Sequence, residues 1–290
     1  IRAGDNHVVL AGGIENMDLA PHMMQMRGGV KYGPATMQDH MAADGLTCAF
    51  EKWAMGCACD FITTKHEVSR AEQDRFAAQS HQRAAAATAA GHFKAEIVAL
   101  SAEQCMSKTG VDADEGIRGD TTADGLTKLK PAFGKDGTAT AGNASQISDG
   151  AAAVLVMSDE GLRKTGAKAI ARIVDSNTAG TAPKELFFAP KLGIERILAK
   201  NGLTVDQIDL FEINEAFAGQ VLVDIKPLGI PESKLNICGG GVALGHPIGA
   251  SGARVLVTLV HQLQRTGGKR GICSLCLGGG NAVTMLVEMC

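Results

Sequence analysis

A chain of 290 residues, 45% apolar and 20% charged, has the composition of an ordered globular protein and room for one large domain or two to three ordinary ones. A formal net charge of −3 gives no electrostatic attraction to nucleic acid or an anionic membrane, and one Trp and one Tyr make no stacking platform for single strands. No apolar run approaches the roughly 20 residues that cross a bilayer. Neither a secretory signal at Ile1-Arg2-Ala3 nor a targeting tripeptide at Glu288-Met289-Cys290 is present. A soluble intracellular protein is expected, cytoplasmic first and mitochondrial as the alternative. Its eight cysteines are scattered among apolar residues, which fits small hydrophobes better than a disulfide framework.

In chain order, His7-Val8-Val9-Leu10-Ala11 precedes Gly12-Gly13, predicting a buried strand that runs into a tight turn. Residues 17–146 then change character, rich in Met, Gly, His and charge. Within them Ser69-Arg70-Ala71-Glu72 is a capping box opening an alanine-rich helix to about residue 90, stopped by Gly91. Its apolar face is drawn through Ala71, Phe76, Ala78 and Ala85. Residues 110–142 are turn-rich, and the whole of 17–146 reads as a separate loop domain, an excursion from a core.

Core-strand character returns at 151–157 and again at 169–174, followed by a helix over 190–200 and a strand over 210–213. Gly239-Gly240-Gly241 precedes a helix over 251–265, with Val255, Leu256, Leu259, Val260 and Leu263 on one face. Strands at 272–277 and 282–287 are split by Gly278-Gly279-Gly280. The glycine turn and apolar strand at 148–157 resemble those at 278–287, and 8–13 parallels 272–279. Two copies of one α/β unit, the first incomplete, is the simplest reading. The remnant of the first half comprises 1–16 and 147–168, and the second half 169–290.

Three segments could carry chemistry. In Gly245-His246-Pro247-Ile248-Gly249-Ala250-Ser251-Gly252 an imidazole sits among small residues at a helix N-terminus, a candidate acid/base beside a place that favours negative charge. An ordinary Gly-rich turn is the competing reading. Cys276 ends a strand before three glycines whose N–H groups could meet an oxyanion. A buried structural cysteine competes, as does a redox or zinc pair with Cys273, although positions i and i+3 of a strand face opposite sides. Asn214-Glu215 follows a strand's carboxyl end, a favoured site position in α/β folds, or else Asn214 caps a helix.

Together these segments resemble the thiolase family, with Asn214-Glu215-Ala216-Phe217-Ala218, the Gly-His-Pro-Ile-Gly-Ala-Ser-Gly stretch and Cys276-Leu277-Gly278-Gly279-Gly280 in the family's order. Supporting stretches are Ala11-Gly12-Gly13-Ile14-Glu15-Asn16-Met17, Arg27-Gly28-Gly29-Val30-Lys31 and Thr140-Ala141-Gly142-Asn143-Ala144-Ser145. The resemblance is strongest to the biosynthetic acetoacetyl-CoA type. It implies a five-layer αβαβα fold of two similar halves with an inserted loop domain, the first half incomplete here. It also implies condensation of two acetyl-CoA to acetoacetyl-CoA and CoA, or the reverse, through a cysteine acyl-enzyme and without metal or other cofactor.

By the same resemblance, His246 activates the nucleophile, Cys276 is the general acid/base, Asn214 holds an oxyanion-hole water and Gly278 offers an N–H to a second oxyanion hole. Ser145, Ala141, Phe133, Phe217, Arg118, Leu46 and Met55 match positions along the CoA tunnel. Ala54 and Gly125 depart from the biosynthetic pattern, where a His and a Ser are usual. The nucleophilic cysteine of the family is expected before Ile1, leaving residues 1–290 inactive alone. A homotetramer or homodimer is implied, with 27–31 in the loop that joins dimers. The alternatives are a degradative 3-ketoacyl-CoA thiolase and a non-catalytic CoA-binding fragment.

Overall fold

The computed structural model describes residues 1–290. Its elements, in order, are β1 (Val8–Glu15), β2 (His22–Met23), β3 (Gln38–Asp39), α1 (Met55–Lys65), α2 (Arg70–Ala89), α3 (Ala123–Leu126), β4 (Gly150–Met157) and α4 (Asp159–Thr165). Then follow β5 (Ala171–Gly180), α5 (Ala189–Asn201), β6 (Leu210–Ile213), α6 (Ala218–Leu228), α7 (Gly241–Leu244), α8 (Ser251–Thr266), β7 (Arg270–Leu277) and β8 (Asn281–Met289).

A four-stranded sheet runs β5-β8-β7-β6, with β6 parallel to β7 and the other neighbours antiparallel. All four residues of β6 are buried, as a strand covered on both faces requires. Helix α5 lies against β5, β7 and β8. Helix α8 contacts β6, β7 and β8 as well as β1 and β4, so it is sandwiched between the large sheet and the antiparallel β1–β4 ribbon. Helix, sheet, helix, sheet in that order is the expected layering of a two-half α/β fold. Val255, Leu259 and Leu263 are buried along α8, whereas Leu256 and Val260, on the same predicted face, are only partly covered.

Three expectations are corrected. Gly12-Gly13 is no turn: β1 continues through it to Glu15, and Leu10 is exposed. The glycines are there because backbone approaches backbone. A Cβ on Gly13 would lie 1.8 Å from the Gly249 carbonyl oxygen, so only a hydrogen fits. Next, the capping box of α2 is formed and Phe76 and Ala78 of the face drawn from sequence are buried, but that face is not the whole of the buried stripe. Ala71 is exposed, while Gln73, Asp74, Ser80 and His81 are buried with partners in distant segments.

Last, residues 17–146 add no strand to the large sheet, yet they are not separate from it. Ala58, Cys59 and Ile62 of α1 and Phe76, Ala77 and Ala78 of α2 share one hydrophobic cluster with Phe211, Val221, Leu222 and Ile272. A segment this rich in small and polar residues buries its apolar surface against the neighbouring sheet and helices instead of a core of its own.

Candidate active site

The His246 loop is seated on the β1–β4 ribbon. Gly245 has a φ of 95°, which a side chain would resist, and its missing Cβ leaves room for the Ser148 hydroxyl. Pro247 lies over Gly150, Gly249 N–H donates to Glu15 at 3.0 Å, and His246 N–H donates to the Gln146 carbonyl at 3.4 Å. Proline after His246 holds that residue extended. The ribbon thus fixes the backbone that aims the ring.

Each ring nitrogen has a polar neighbour. Nδ1 lies 2.6 Å from Ser251 Oγ, and that hydroxyl donates its own proton to the Pro247 carbonyl at 2.9 Å. With the Ser251 proton donated to the Pro247 carbonyl, Ser251 accepts from Nδ1–H and the lone pair is on Nε2. Nε2 faces Asn214 Nδ2 at 3.3 Å, an amide donor. Desolvation first, and then the positive charge of Arg254, hold the imidazole down at about 4. At neutral pH the ring is a neutral base with its accepting nitrogen turned inward.

Asn214 extends the β6–β7 ladder by one bond, its N–H donating to the Ser274 carbonyl at 3.0 Å. It does not cap α6, whose N-cap is Phe217, so the helix-cap alternative is corrected. Cys276 stands two residues beyond Ser274 on β7, roughly 6–7 Å further along the strand and opposite Ala282. The geometry therefore brings Asn214 and His246 into contact and puts Cys276 at the adjoining strand end, with no hydrogen bond between Cys276 and His246. Burial foremost, then the Asp224 carboxylate, push the Cys276 thiol up to about 12. One group thus accepts a proton at neutral pH and the other retains one, the pairing that divides acid from base.

Cys273 packs with Val255 and Leu259 on one face of β7, and Cys276 joins the larger cluster on the other. Side chains on opposite faces of one strand cannot close a disulfide or share a metal, so the paired-cysteine alternative is corrected. Gly278 opens the following turn, with nothing within 4 Å of where a Cβ would be.

The expected CoA-contact residues fall into groups. Phe133 and Phe217 meet edge to face with ring centres 6.1 Å apart, and Ser145 N–H donates to the Ala216 carbonyl at 3.0 Å, two residues from Asn214. Ala141 is exposed in the same 140–145 turn. Met55 N–H donates to the Leu46 carbonyl at 2.9 Å, closing the loop whose Phe50 lies over Gly279. Arg118 is set apart. Its backbone N–H donates to His81 on α2, and its side chain is bonded to none of the others.

Four residues not assigned a role from sequence also hold the site. Ser251 fixes the ring tautomer, and Arg254 donates to Asn214 Oδ1 at 3.5 Å. Glu212 is buried on β6, its carboxyl pushed up to about 8 by burial, and lies 3.5 Å from Arg254. Buried Glu215 accepts from Ser80 Oγ, Asn236 Nδ2 and Val242 N–H, tying α2 to the start of the Gly-rich loop. Ser251 and Arg254 were within the quoted motif or beside it. The pairing with Glu212, 42 positions away in sequence by subtraction of their numbers, has no local signal.

No helix is long and apolar enough to cross a membrane. Residues 1–160 match the thiolase N-terminal domain and 167–289 the thiolase C-terminal domain. The chain is 49% identical to acetyl-CoA acetyltransferase of Chromobacterium violaceum over 290 residues, covering 99% of this chain and 74% of that protein. The structure of acetyl-CoA acetyltransferase from Bacillus anthracis superposes with a TM-score of 0.94 at 39% identity, over 100% of this chain and 74% of that one. Human mitochondrial 3-ketoacyl-CoA thiolase in complex with CoA gives 0.94 at 39% identity, over 99% of this chain and 72% of that one. With both domains matched in order, and with His246, Asn214 and Cys276 at the ends of the elements just described, the chain belongs to the thiolase family.

Proposed function

We propose that this protein is an acetyl-CoA C-acetyltransferase, joining two acetyl-CoA into acetoacetyl-CoA and CoA or running the reverse. The observation that carries the reading is the His246 ring, held with Nδ1–H on Ser251 and a bare Nε2 facing Asn214. In this reading the acyl-carrying thiol belongs to the family's Cys-x-Ser-Gly motif, which none of the eight cysteines of residues 1–290 occupies.

His246 Nε2 takes the proton of that thiol as its sulfur attacks the acetyl carbonyl. The departing CoA thiolate takes the Cys276 proton, leaving CoA–SH, an acyl thioester, an imidazolium and the Cys276 thiolate. A second acetyl-CoA gives an α-proton to Cys276, and its carbanion attacks the acyl thioester to form the new carbon–carbon bond. The acyl-carrying sulfur leaves and recovers its proton from His246, so both groups end as they began. Asn214, through a water it holds, and the Gly278 N–H stand as oxyanion stabilisers. Phe133, Phe217, Ser145, Ala141, Leu46 and Met55 line the pantetheine path, with Arg118 toward the nucleotide. Cytoplasmic residence and a homotetramer or homodimer belong to the same reading.

The test is covalent labelling with radiolabelled acetyl-CoA beside thiolysis of acetoacetyl-CoA. Residues 1–290 alone should retain no stoichiometric label. With the acyl thiol present, labelling should occur and fall by about 10²-fold or more in His246→Asn. Stoichiometric label on any cysteine of residues 1–290, or undiminished labelling in that variant, would overturn the assignment.

A further inference from the structure

We propose that Arg254 is a positioning residue for His246, acting through Asn214: anchored on buried Glu212, its guanidinium fixes the Asn214 amide so that Nδ2–H faces the ring. The inference rests on His246 being the base. An amide side chain is nearly symmetric in shape, so contacts must choose which end faces Nε2. If Oδ1 faced the ring, it would favour a proton on Nε2. The accepting nitrogen would then be Nδ1, and Ser251 would have to turn its hydroxyl proton away from Pro247 to meet it. Arg254 prevents this by donating from Nη2 to Asn214 Oδ1 at 3.5 Å, which leaves Nδ2 at 3.3 Å from Nε2.

The guanidinium is itself anchored. Its Nη1 lies 3.5 Å from Glu212 Oε2, an ion-pair distance, and neither atom makes a hydrogen bond. Glu212 precedes Asn214 by two residues in the β6 strand and its extension, while Arg254 follows Ser251 by three in the first turn of α8. One helical turn therefore governs both ring nitrogens, Nδ1 through Ser251 and Nε2 through Arg254 and Asn214. Two prongs reaching two acceptors need a guanidinium, since a lysine ammonium is a single point charge. The titratable groups around Arg254 are Glu212 from β6, Glu215 from the turn after it, and Glu96 and Asp114 from the segments after α2, each carboxyl pushed up by burial. The guanidinium also opposes a second positive charge on the ring.

The test uses the full chain with labelled histidine, reading the His246 ring nitrogens by NMR in wild type, Arg254→Lys and Arg254→Gln. Turnover with the acyl thiol present is measured beside it. Arg254→Lys keeps a positive charge beside Glu212 should the glutamine variant fail to fold. Expected are a protonated Nδ1 and a bare Nε2 in wild type, and a mixed tautomer in both variants. The value of kcat should fall about 10-fold or more with KM for acetyl-CoA little changed. Unchanged ring nitrogens in a folded variant would overturn the proposal, even if its melting temperature dropped, because a merely structural role predicts that pattern. His246→Asn separates the two claims. If it stays active, the reading of His246 as base fails; if it is inactive while both Arg254 variants behave as wild type, only the positioning role fails.

Discussion

Asn214→Asp replaces the amide nitrogen by oxygen and puts a negative charge where a neutral donor now faces the His246 imidazole. The separation is 3.3 Å, and with an effective dielectric constant of about 20 a charge pair at that distance is worth ~5 kcal/mol, or ~3–4 pKa units on the ring. Arg254 lies 3.5 Å from the same side chain and neutralises part of the new carboxylate, so an upward shift of about 2 units or more is expected. His246, now held down at about 4, would titrate near 6 or above. The acidic limb of the proton-accepting step should move with it. The assay is a histidine ring titration by NMR, backed by the pH profile of acyl-enzyme formation. A folded Asn214→Asp protein whose ring still titrates near 4 would refute the claim that Asn214 and His246 share one electrostatic site.

Other consequences follow from the same geometry. The imidazole titrates at about 4 in the folded chain against an ordinary value of 6.5, so between these the unfolded state binds more protons. Stability should therefore rise by up to ~3 kcal/mol from pH 4 to 6.5 on account of this residue and be flat above. His246→Asn should flatten that slope in urea titrations, and an unaltered slope would remove the residue from the account. Cys276→Ala should lower condensation by about 10²–10⁴-fold while acyl-enzyme formation stays detectable; equal loss of both would mean that the thiol does not serve the second step alone. Glu215→Ala strands three buried donors, on Ser80, Asn236 and Val242, and should cost ~3–5 kcal/mol in thermal or urea unfolding. A loss below ~1 kcal/mol would show that the cluster is solvated.

How much of this was legible in the sequence depends on how local each cause is. The capping box at Ser69 and Glu72 and the apolar spacing along α8 lie within a few residues, and the corresponding helix starts and spans are found close to where the sequence puts them. Gly12-Gly13 reads as a turn because glycine usually marks one, whereas its cause is the Gly249 backbone, far along the chain. The polar part of the buried face of α2 was hidden because those residues find partners more than 30 positions away, among them Ser80 with Glu215 and Asp74 with Asn143. At the site, the His246, Asn214 and Cys276 motifs were visible as residue types beside glycines and strand ends. The wiring among Glu212, Arg254 and Asn214 was not, because β6 and α8 meet only in the folded chain.

The central claim is that His246, Asn214 and Cys276 surround one acyl-CoA thioester. A crystal structure of the protein soaked with CoA tests it most directly. The account predicts pantetheine running past Phe133, Phe217 and Ser145, with its sulfur ending between the His246 ring and the Cys276 thiol. CoA bound elsewhere, or a sulfur remote from both side chains while the thiolase fold is intact, would contradict it.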